Sequence, residues 1–336
     1  MARELAGTNS FAVAAARPET LPHVHRSLAL GVARVGDEYQ LAVRVQRSDL
    51  MGSALLEHIR RAACEEVDIR FIGRVDKRRP PGGGRRIAAG NLRLVSANTG
   101  VPAWYRSNTR PLQIGASVGH VNVTAGTLGA FVSRGGVPHI LSNNHVLADE
   151  DRAARGDPVL QRAAYDGGSD PADAVGVLAA AVKLKRKAAN LVDAALARMP
   201  AHLPFDPTLL KGIVSGANRV LTGVRTMDLD ISETVFKIGR TTGPTRGRVV
   251  AIEVDGVVAT YGIGNLRFDG QVEIEGVGDR PFSDGGDSGS LIVDEEMRAM
   301  GLLFAGSDTG GTNGLGLTYA NPIHTVLTAT GAQLLL

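Results

Sequence analysis

The segment 283–293, SDGGDSGSLIV, places Ser288 among glycines and acids and then continues directly into an apolar strand pattern. Glycines beside a serine permit a sharp turn and leave backbone N–H groups accessible. A serine hydroxyl becomes a strong nucleophile only when a base accepts its proton and fixed donors stabilise the developing negative charge. A glycine-rich hairpin with a solvent-facing serine is the alternative. A catalytic role for Ser288 therefore requires a base and an acid elsewhere in the chain.

A histidine and an aspartate earlier in the chain stand in contexts that suit these roles. His145 follows an apolar strand pattern that ends in polar residues, and Asp193 lies within the apolar run 190–197, NLVDAALA. A buried carboxylate is costly unless it is hydrogen-bonded, and an imidazole N–H satisfies it while fixing the tautomer that a base needs. Each residue alone could be structural. Together with Ser288, in the order His, Asp, Ser, they match the pattern of a catalytic triad.

Residues 114–327 resemble the chymotrypsin/trypsin-like serine peptidases. The segments LSNNHVLA, VDAALA and GDSGSLIV are similar to the three catalytic segments of that family, and 237–243, KIGRTTG, resembles a hairpin of the bacterial streptogrisin-type branch. The segment 124–130, TAGTLGA, is most similar to the intracellular subgroup that contains the plant NARROW LEAF peptidases and their bacterial relatives. The resemblance implies a mainly β fold with two six-stranded antiparallel β-barrels and a C-terminal helix. It also implies an intracellular serine endopeptidase that acts on protein or peptide substrates without a cofactor or metal.

The resemblance assigns a role to each residue of the site. His145 would be the general base, Asp193 would orient the imidazole, and Ser288 would be the nucleophile. The backbone N–H groups of Gly286 and Ser288 would form the oxyanion hole.

Asp287 is expected to hold the oxyanion loop in shape rather than to act in the reaction. In family members the acid beside the serine is buried and paired with a cation, which in zymogen-type relatives is a newly cut N-terminus. Lys237 and Arg240 are the candidates here, and Lys237 is preferred from its position in the motif. With that pair, activity would need no N-terminal cleavage.

The specificity pocket is the least constrained part of the site. Phe282 stands six positions before the serine, where a trypsin-type enzyme has aspartate, and Phe304, Ala305 and Gly306 are expected to form one wall. We therefore predict a pocket for small or apolar side chains.

The chain of 336 residues is long enough for more than one domain. Alternating apolar residues and a helix pattern predict a small α+β (ββαβ) N-terminal domain over 1–75, with a regulatory or docking role. A Pro/Gly/Arg-rich linker is predicted over 76–110. The peptidase domain, 111–336, would contain barrel one over about 111–200, barrel two over about 214–320, and the helix over about 322–330.

Composition limits the possible partners and surroundings. The net charge of +3 gives no reason to expect a nucleic-acid partner, and no apolar run is long enough to span a membrane. Cys64 is the single cysteine, so no intrachain disulfide can form, and a cytoplasmic location is expected. His23 and His25 have a spacing that can bind metal, but two surface histidines are the simpler interpretation.

Three alternatives to a constitutively active endopeptidase remain at this point. The first is a catalytically weak binding scaffold, for which an intact triad is unnecessary. The second is a peptidase that stays inactive until a regulatory protein partner engages residues 1–110. The third is a serine esterase with the same triad.

Overall fold

The computed structural model describes residues 27–77, 103–225 and 230–336, and the chain is mainly β within them. Its helices are α1 (Ala54–Ala62), α2 (Asn144–Leu147) and α3 (Ile323–Thr330). None of these three, in the described part of the chain, is long and apolar enough to cross a membrane. In chain order the strands are β1 (Leu28–Val35), β2 (Glu38–Val45), β3 (Val67–Phe71), β4 (Val75–Lys77), β5 (Leu112–Gln113), β6 (Ser117–His120), β7 (Gly126–Thr127), β8 (Ala130–Arg134), β9 (Val137–Ser142), β10 (Pro158–Leu160), β11 (Ala174–Ala181), β12 (Ala195–Arg198), β13 (Phe205–Asp206), β14 (Leu209–Val214), β15 (Ala217–Val220), β16 (Gly223–Val224), β17 (Thr234–Gly239), β18 (Gly243–Asp255), β19 (Val257–Tyr261), β20 (Gly264–Phe268), β21 (Gln271–Gly276), β22 (Leu291–Val293), β23 (Arg298–Ser307), β24 (Leu317–Pro322) and β25 (Gln333–Leu334).

Six antiparallel strands close a barrel in the C-terminal half of the chain. Their order is β17–β18–β21–β24–β23–β22, and β22 pairs again with β17. The apolar side chains of this barrel that cluster in its interior are Val235, Val249, Val272, Ile274, Phe282, Ile292, Met300, Leu303 and Ala320. Register shifts between β18 and β21 mark bulges, which bend a strand. Because β18 is bent and long, its later residues extend to another partner, β1.

The first barrel is more open than the sequence predicted. Its sheet runs in the order β25–β8–β9–β12–β11–β10–β6–β7, and the ladder does not continue from β7 to β8 among the described residues. Gly129 lies between these two strands, and an added Cβ there would lie 2.3 Å from the carbonyl oxygen of Gly289. The second barrel therefore packs directly into the gap. The predicted double-barrel fold is confirmed, with one closed barrel and one half-barrel.

The N-terminal unit has the predicted ββαβ order. β1 and β2 form an antiparallel hairpin, and β3 pairs with β2 in parallel. Ser53 accepts a hydrogen bond from the Leu56 N–H at the start of α1, as expected for an N-cap. The buried face of α1 carries Leu56 and Ile59.

This unit is continuous with the second barrel rather than a separate body. β1 pairs with β18, so the two share one sheet of 13 strands. The guanidinium group of Arg44 is fully buried, and its Nε lies 2.8 Å from Oε1 of Glu273 on β21. A second ion pair joins Arg44 to Asp68 at 3.0 Å. Backbone pairing and a buried ion pair therefore fasten the unit to the barrel.

Both ends of the predicted linker, 76–110, contain regular structure. Asp76 and Lys77 belong to β4, which lies between β19 and β23, and 104–106 form a 3₁₀ turn. Tertiary pairing of a three-residue strand leaves no periodic pattern in the sequence. The predicted linker residues 78–102, and His23 and His25, lie outside the described residues.

The C-terminal helix begins one residue later than predicted. α3 ends before Gly331, whose φ of +64° lies in the left-handed region that favours glycine at a helix end. The chain then returns to the first barrel, where β25 pairs with β8.

Candidate active site

His145 lies on α2, a single helical turn that directly follows β9. Only 1% of His145 is exposed, and the residue before the helix, Asn143, donates a side-chain hydrogen bond of 2.7 Å to the carbonyl oxygen of Asp193. The backbone N–H of His145 points to Oδ1 of Asp193 at 3.3 Å. The turn is therefore attached at two points to the segment that carries the acid.

Asp193 lies in the connection from β11 to β12 and is fully buried. Its Oδ2 lies 2.5 Å from Nδ1 of His145, and the hydroxyl group of Tyr261 donates a hydrogen bond of 2.6 Å to the same oxygen. The Asp193 backbone N–H donates to the side-chain oxygen of Asn321 at 2.8 Å. The backbone and the side chain of Asp193 are therefore both held by hydrogen bonds.

The ionised form of Asp193 is favoured. Burial alone opposes the charge, but the charge of His145 and the hydrogen bonds from His145 and Tyr261 outweigh it, so the pKa of this carboxyl lies below its usual value. An ionised carboxylate only accepts hydrogen bonds, so Nδ1 of His145 carries a proton. In the neutral ring, Nε2 is then the acceptor, as a general base requires.

Ser288 lies in the turn before β22 and is fully buried. Its Oγ donates to the carbonyl oxygen of Phe304 at 3.3 Å, and its own carbonyl oxygen accepts from the Thr127 N–H at 2.8 Å. An added Cβ at Gly126 would lie 2.4 Å from Val146 and 3.0 Å from the Ser288 carbonyl oxygen. The structure thus brings His145 and Asp193 into contact. Gly126 lies between Ser288 and Val146, the residue that follows His145.

The residue after the serine has to be glycine. Gly289 has φ +91°, and an added Cβ would lie 2.1 Å from the hydroxyl oxygen of Ser142. The backbone of Gly289 is held by its N–H, which donates to the carbonyl oxygen of Leu303 at 2.8 Å. This position therefore sets how closely the serine turn approaches the histidine-bearing barrel.

The predicted oxyanion loop is held from both sides. The carbonyl oxygen of Gly286 accepts a hydrogen bond of 3.1 Å from the hydroxyl group of Thr127. The carboxylate of Asp287 accepts from the backbone N–H groups of Asp284 and Thr241, at 3.0 and 2.8 Å. These contacts fix the peptide unit between Gly286 and Asp287 and the side chain of Asp287.

Lys237 is the cation beside Asp287. Its Nζ lies 3.2 Å from Oδ2 of Asp287, and both side chains are fully buried. Burial opposes the carboxylate charge, but Lys237, the Thr242 hydroxyl and nearby backbone N–H groups outweigh it, so the pKa of Asp287 is lowered. The other candidate, Arg240, pairs with Asp166 instead.

The four residues predicted to form the specificity pocket have different surroundings. Phe282 packs in the interior of the second barrel, with Lys237 Nζ 5.7 Å from its ring centroid. The ring of Phe304 packs against the ring of Phe268, with 4.5 Å between the two ring centroids. Ala305 and Gly306 lie on β23, where they pair with β4. The small or apolar preference stays a prediction.

Tyr261, Thr127 and Asn321 were not singled out from the sequence. Each of them contacts a site residue that is distant in the chain, so the spacing of residues in the sequence does not identify it. Tyr261 had one local signal, because Val257, Ala259 and Tyr261 alternate on β19 and place a phenol at the buried end of an apolar strand. A buried tyrosine hydroxyl usually has a hydrogen-bond partner.

No protein-family description and no curated protein matches this chain. Solved structures similar to it include Thermobifida fusca protease A (19% identity, TM-score 0.47, 67% of this chain and 98% of that chain) and Cellulomonas bogoriensis chymotrypsin (19% identity, TM-score 0.46, 67% and 98%). A serine protease described as specific for glutamic acid is similar at 20% identity and a TM-score of 0.47, over 67% of this chain and 100% of that chain. These neighbours are serine proteases, and the fold assignment here rests on the strand pairing described above. The resemblance to the NARROW LEAF subgroup stays a prediction.

Proposed function

We propose that this protein is a serine endopeptidase in which Ser288, His145 and Asp193 act as a catalytic triad. The observation that carries the proposal is the buried contact between Nδ1 of His145 and Oδ2 of Asp193, at 2.5 Å, in the interface that also holds Ser288. An imidazole oriented in this way has Nε2 available as the proton acceptor for a serine hydroxyl.

The first half of the reaction forms an acyl-enzyme. Ser288 Oγ attacks the carbonyl carbon of the peptide bond while its proton passes to Nε2 of His145. The carbonyl oxygen becomes an oxyanion, which the N–H groups of Gly286 and Ser288 stabilise; loss of one such donor typically costs about 10²–10³-fold in rate. His145 then gives the proton to the departing amine, and the C–N bond breaks.

The second half repeats these roles with water. His145 accepts a proton from the attacking water, the ester bond to Ser288 breaks, and the serine recovers its proton. Asp193 stays ionised throughout and stabilises the protonated imidazole. Tyr261 is a positioning residue in this scheme, because its hydrogen bond fixes the carboxylate oxygen that meets His145.

The oxyanion loop of this enzyme is assembled without a new N-terminus. Lys237 supplies the cation that Asp287 needs, so cleavage to create an amino group is unnecessary for loop formation. An intracellular setting is part of the proposal, since one cysteine permits no intrachain disulfide. Regulation through the N-terminal unit is also part of it.

Labelling with a small fluorophosphonate tests the proposal. The native protein is expected to form one covalent adduct, which peptide mapping locates on Ser288, and Ser288→Ala is expected to form none. Ser48→Ala is the matched control, because Ser48 is an exposed serine of the N-terminal unit. A folded native protein without an adduct on Ser288 would contradict the enzyme and favour a binding scaffold.

A further inference from the structure

Strand β4 occupies the edge of β23 beside Ser288. Lys77 pairs with Ala305, Asp76 with Gly306, and Val75 with the next residue along β23, all in antiparallel register. The carbonyl oxygen that accepts the Ser288 hydroxyl belongs to Phe304, the neighbour of Ala305. As the chain passes from Val75 to Lys77 it therefore approaches the serine.

This edge of β23 is where a peptide backbone could reach Ser288. An extended peptide binds an exposed strand edge through backbone hydrogen bonds, and it gains the partners that the edge lacks. The other edge of β23 is taken, because Gly306 also pairs with Thr318 on β24. With β4 in place, both edges of β23 are paired at Ala305 and Gly306.

β4 is held on its second edge as well. Val75 and Asp76 pair in parallel with Ala259 and Thr260 on β19. The Val75 side chain is fully buried in an apolar cluster with Phe304. Both backbone pairing and apolar burial oppose its release.

The Lys77 side chain adds an ionic contact. Its ammonium group forms an ion pair with Glu150, and it lies 5.2 Å from the centroid of the Tyr261 ring. The Glu150 carboxylate also accepts from the backbone N–H groups of Gly262 and Ile263, each at 3.0 Å. The end of β4 is therefore bound to the same hairpin that presents Tyr261 to Asp193.

We propose that β4 is an intramolecular competitor of the substrate, bound along the 305–307 edge of β23 in the place of an extended peptide. The proposal rests on the proposed function. A peptide substrate binds this edge only when β4 has left it. A small reagent needs only local exposure of Ser288, which is fully buried here. Regulation then acts by displacing one short strand, because Lys237 already holds the oxyanion loop.

Release of β4 is tested in the full chain with the double variant Val75→Ser/Lys77→Met. We expect its kcat/KM for peptides of four or more residues to rise by about tenfold or more, since the competent fraction of the enzyme increases. A synthetic peptide with the sequence of residues 72–77, Ile-Gly-Arg-Val-Asp-Lys, should inhibit the double variant competitively. The matched control is Val35→Ser/Lys183→Met, in which both side chains are exposed, and it should cleave peptides like the native protein.

A second measurement uses the native protein alone and does not depend on the folding of a variant. Ser288 is labelled with a small fluorophosphonate and, separately, with a phosphonate that carries a tripeptide. We expect the tripeptide to give no gain in labelling rate. A faster reaction with the tripeptide reagent would contradict the proposal that β4 occupies this edge, and so would equal peptide cleavage by the native protein and the double variant. Either result would leave the proposed function intact. Labelling by neither reagent would overturn the proposed function and this inference with it.

Discussion

The Tyr261 hydroxyl group donates a hydrogen bond to Oδ2 of Asp193, the same oxygen that lies 2.5 Å from Nδ1 of His145. The phenol is fully buried, and burial, the charge of Asp193 and its hydrogen bond raise the pKa of Tyr261 well above its usual value. Tyr261 is therefore a permanent donor. Tyr261 lies on β19, a strand that belongs to neither barrel, and its hydrogen bond limits the movement of the Asp193 carboxylate. The hairpin of β19 and β20 also contacts β4.

Replacement of Tyr261 by Phe removes this donor and preserves the ring. We expect the rate of fluorophosphonate labelling at Ser288 to fall by about tenfold to a hundredfold, the value of one hydrogen bond to a charged group. The NMR resonance of the proton shared by His145 and Asp193 should also shift, which a merely structural loss of stability would not cause.

Tyr319→Phe provides the matched control for Tyr261→Phe. Tyr319 is also a buried tyrosine whose hydroxyl donates to a carboxylate, Oε2 of Glu273, at 2.8 Å. It should leave the labelling rate and the shared-proton resonance unchanged. Equal effects of both substitutions would show that Tyr261 has no positioning role.

The Lys237–Asp287 pair should be strongly coupled. Lys237→Met leaves a buried carboxylate without its cation, and we expect the free energy of unfolding to fall by about 3–5 kcal/mol. The double variant Lys237→Met/Asp287→Asn removes the uncompensated charge, so it should recover most of that loss. Denaturant unfolding of Lys237→Met, Asp287→Asn and the double variant measures this coupling. Additive effects of the two substitutions would argue against the pair.

Acid should weaken this pair in a defined pH range. Because the pKa of Asp287 is lowered in the folded protein, its contribution to stability is complete above the ordinary aspartate pKa of 3.8 and is lost as the pH falls from there towards the folded-state pKa. The difference in unfolding free energy between the native protein and Lys237→Met/Asp287→Asn should therefore shrink below about pH 4. A difference that stays constant from pH 6 to pH 3 would contradict the lowered pKa.

The N-terminal unit should unfold together with the second barrel. Arg44→Met leaves Glu273 buried without its nearest cation, and we expect a loss of about 3–5 kcal/mol in unfolding free energy. Arg60→Met is the control, because the ion pairs of Arg60 with Glu57 and Glu65 are exposed. It should cost less than about 0.5 kcal/mol. Two separate unfolding transitions in the native protein would show that the unit is an independent domain.

The sequence predicted the elements that local patterns determine. The ββαβ order and the Ser53 cap follow from alternation and helix-start signals, and α3 begins within one residue of its predicted start. The contact of His145 with Asp193 was also anticipated, because both lie in distinctive segments. The pairing of Lys237 with Asp287 follows from a motif in the same way.

The contacts that were missed depend on long-range packing. Tyr261 meets Asp193 across 68 residues of sequence, and β4 pairs with β23 across more than two hundred. Three residues such as 75–77 carry no period from which a strand could be recognised. The open first barrel was not predicted either, because close approaches such as that of Gly129 and Gly289 join residues that are far apart in the chain.

The decisive measurement for the triad is peptide hydrolysis by the native chain and by Val75→Ser/Lys77→Met, each with and without Ser288→Ala. We predict cleavage by the β4-released variant that disappears completely when Ser288 is replaced. Cleavage that survives Ser288→Ala, or its absence from both folded proteins that retain the serine, would contradict a triad built from Ser288, His145 and Asp193.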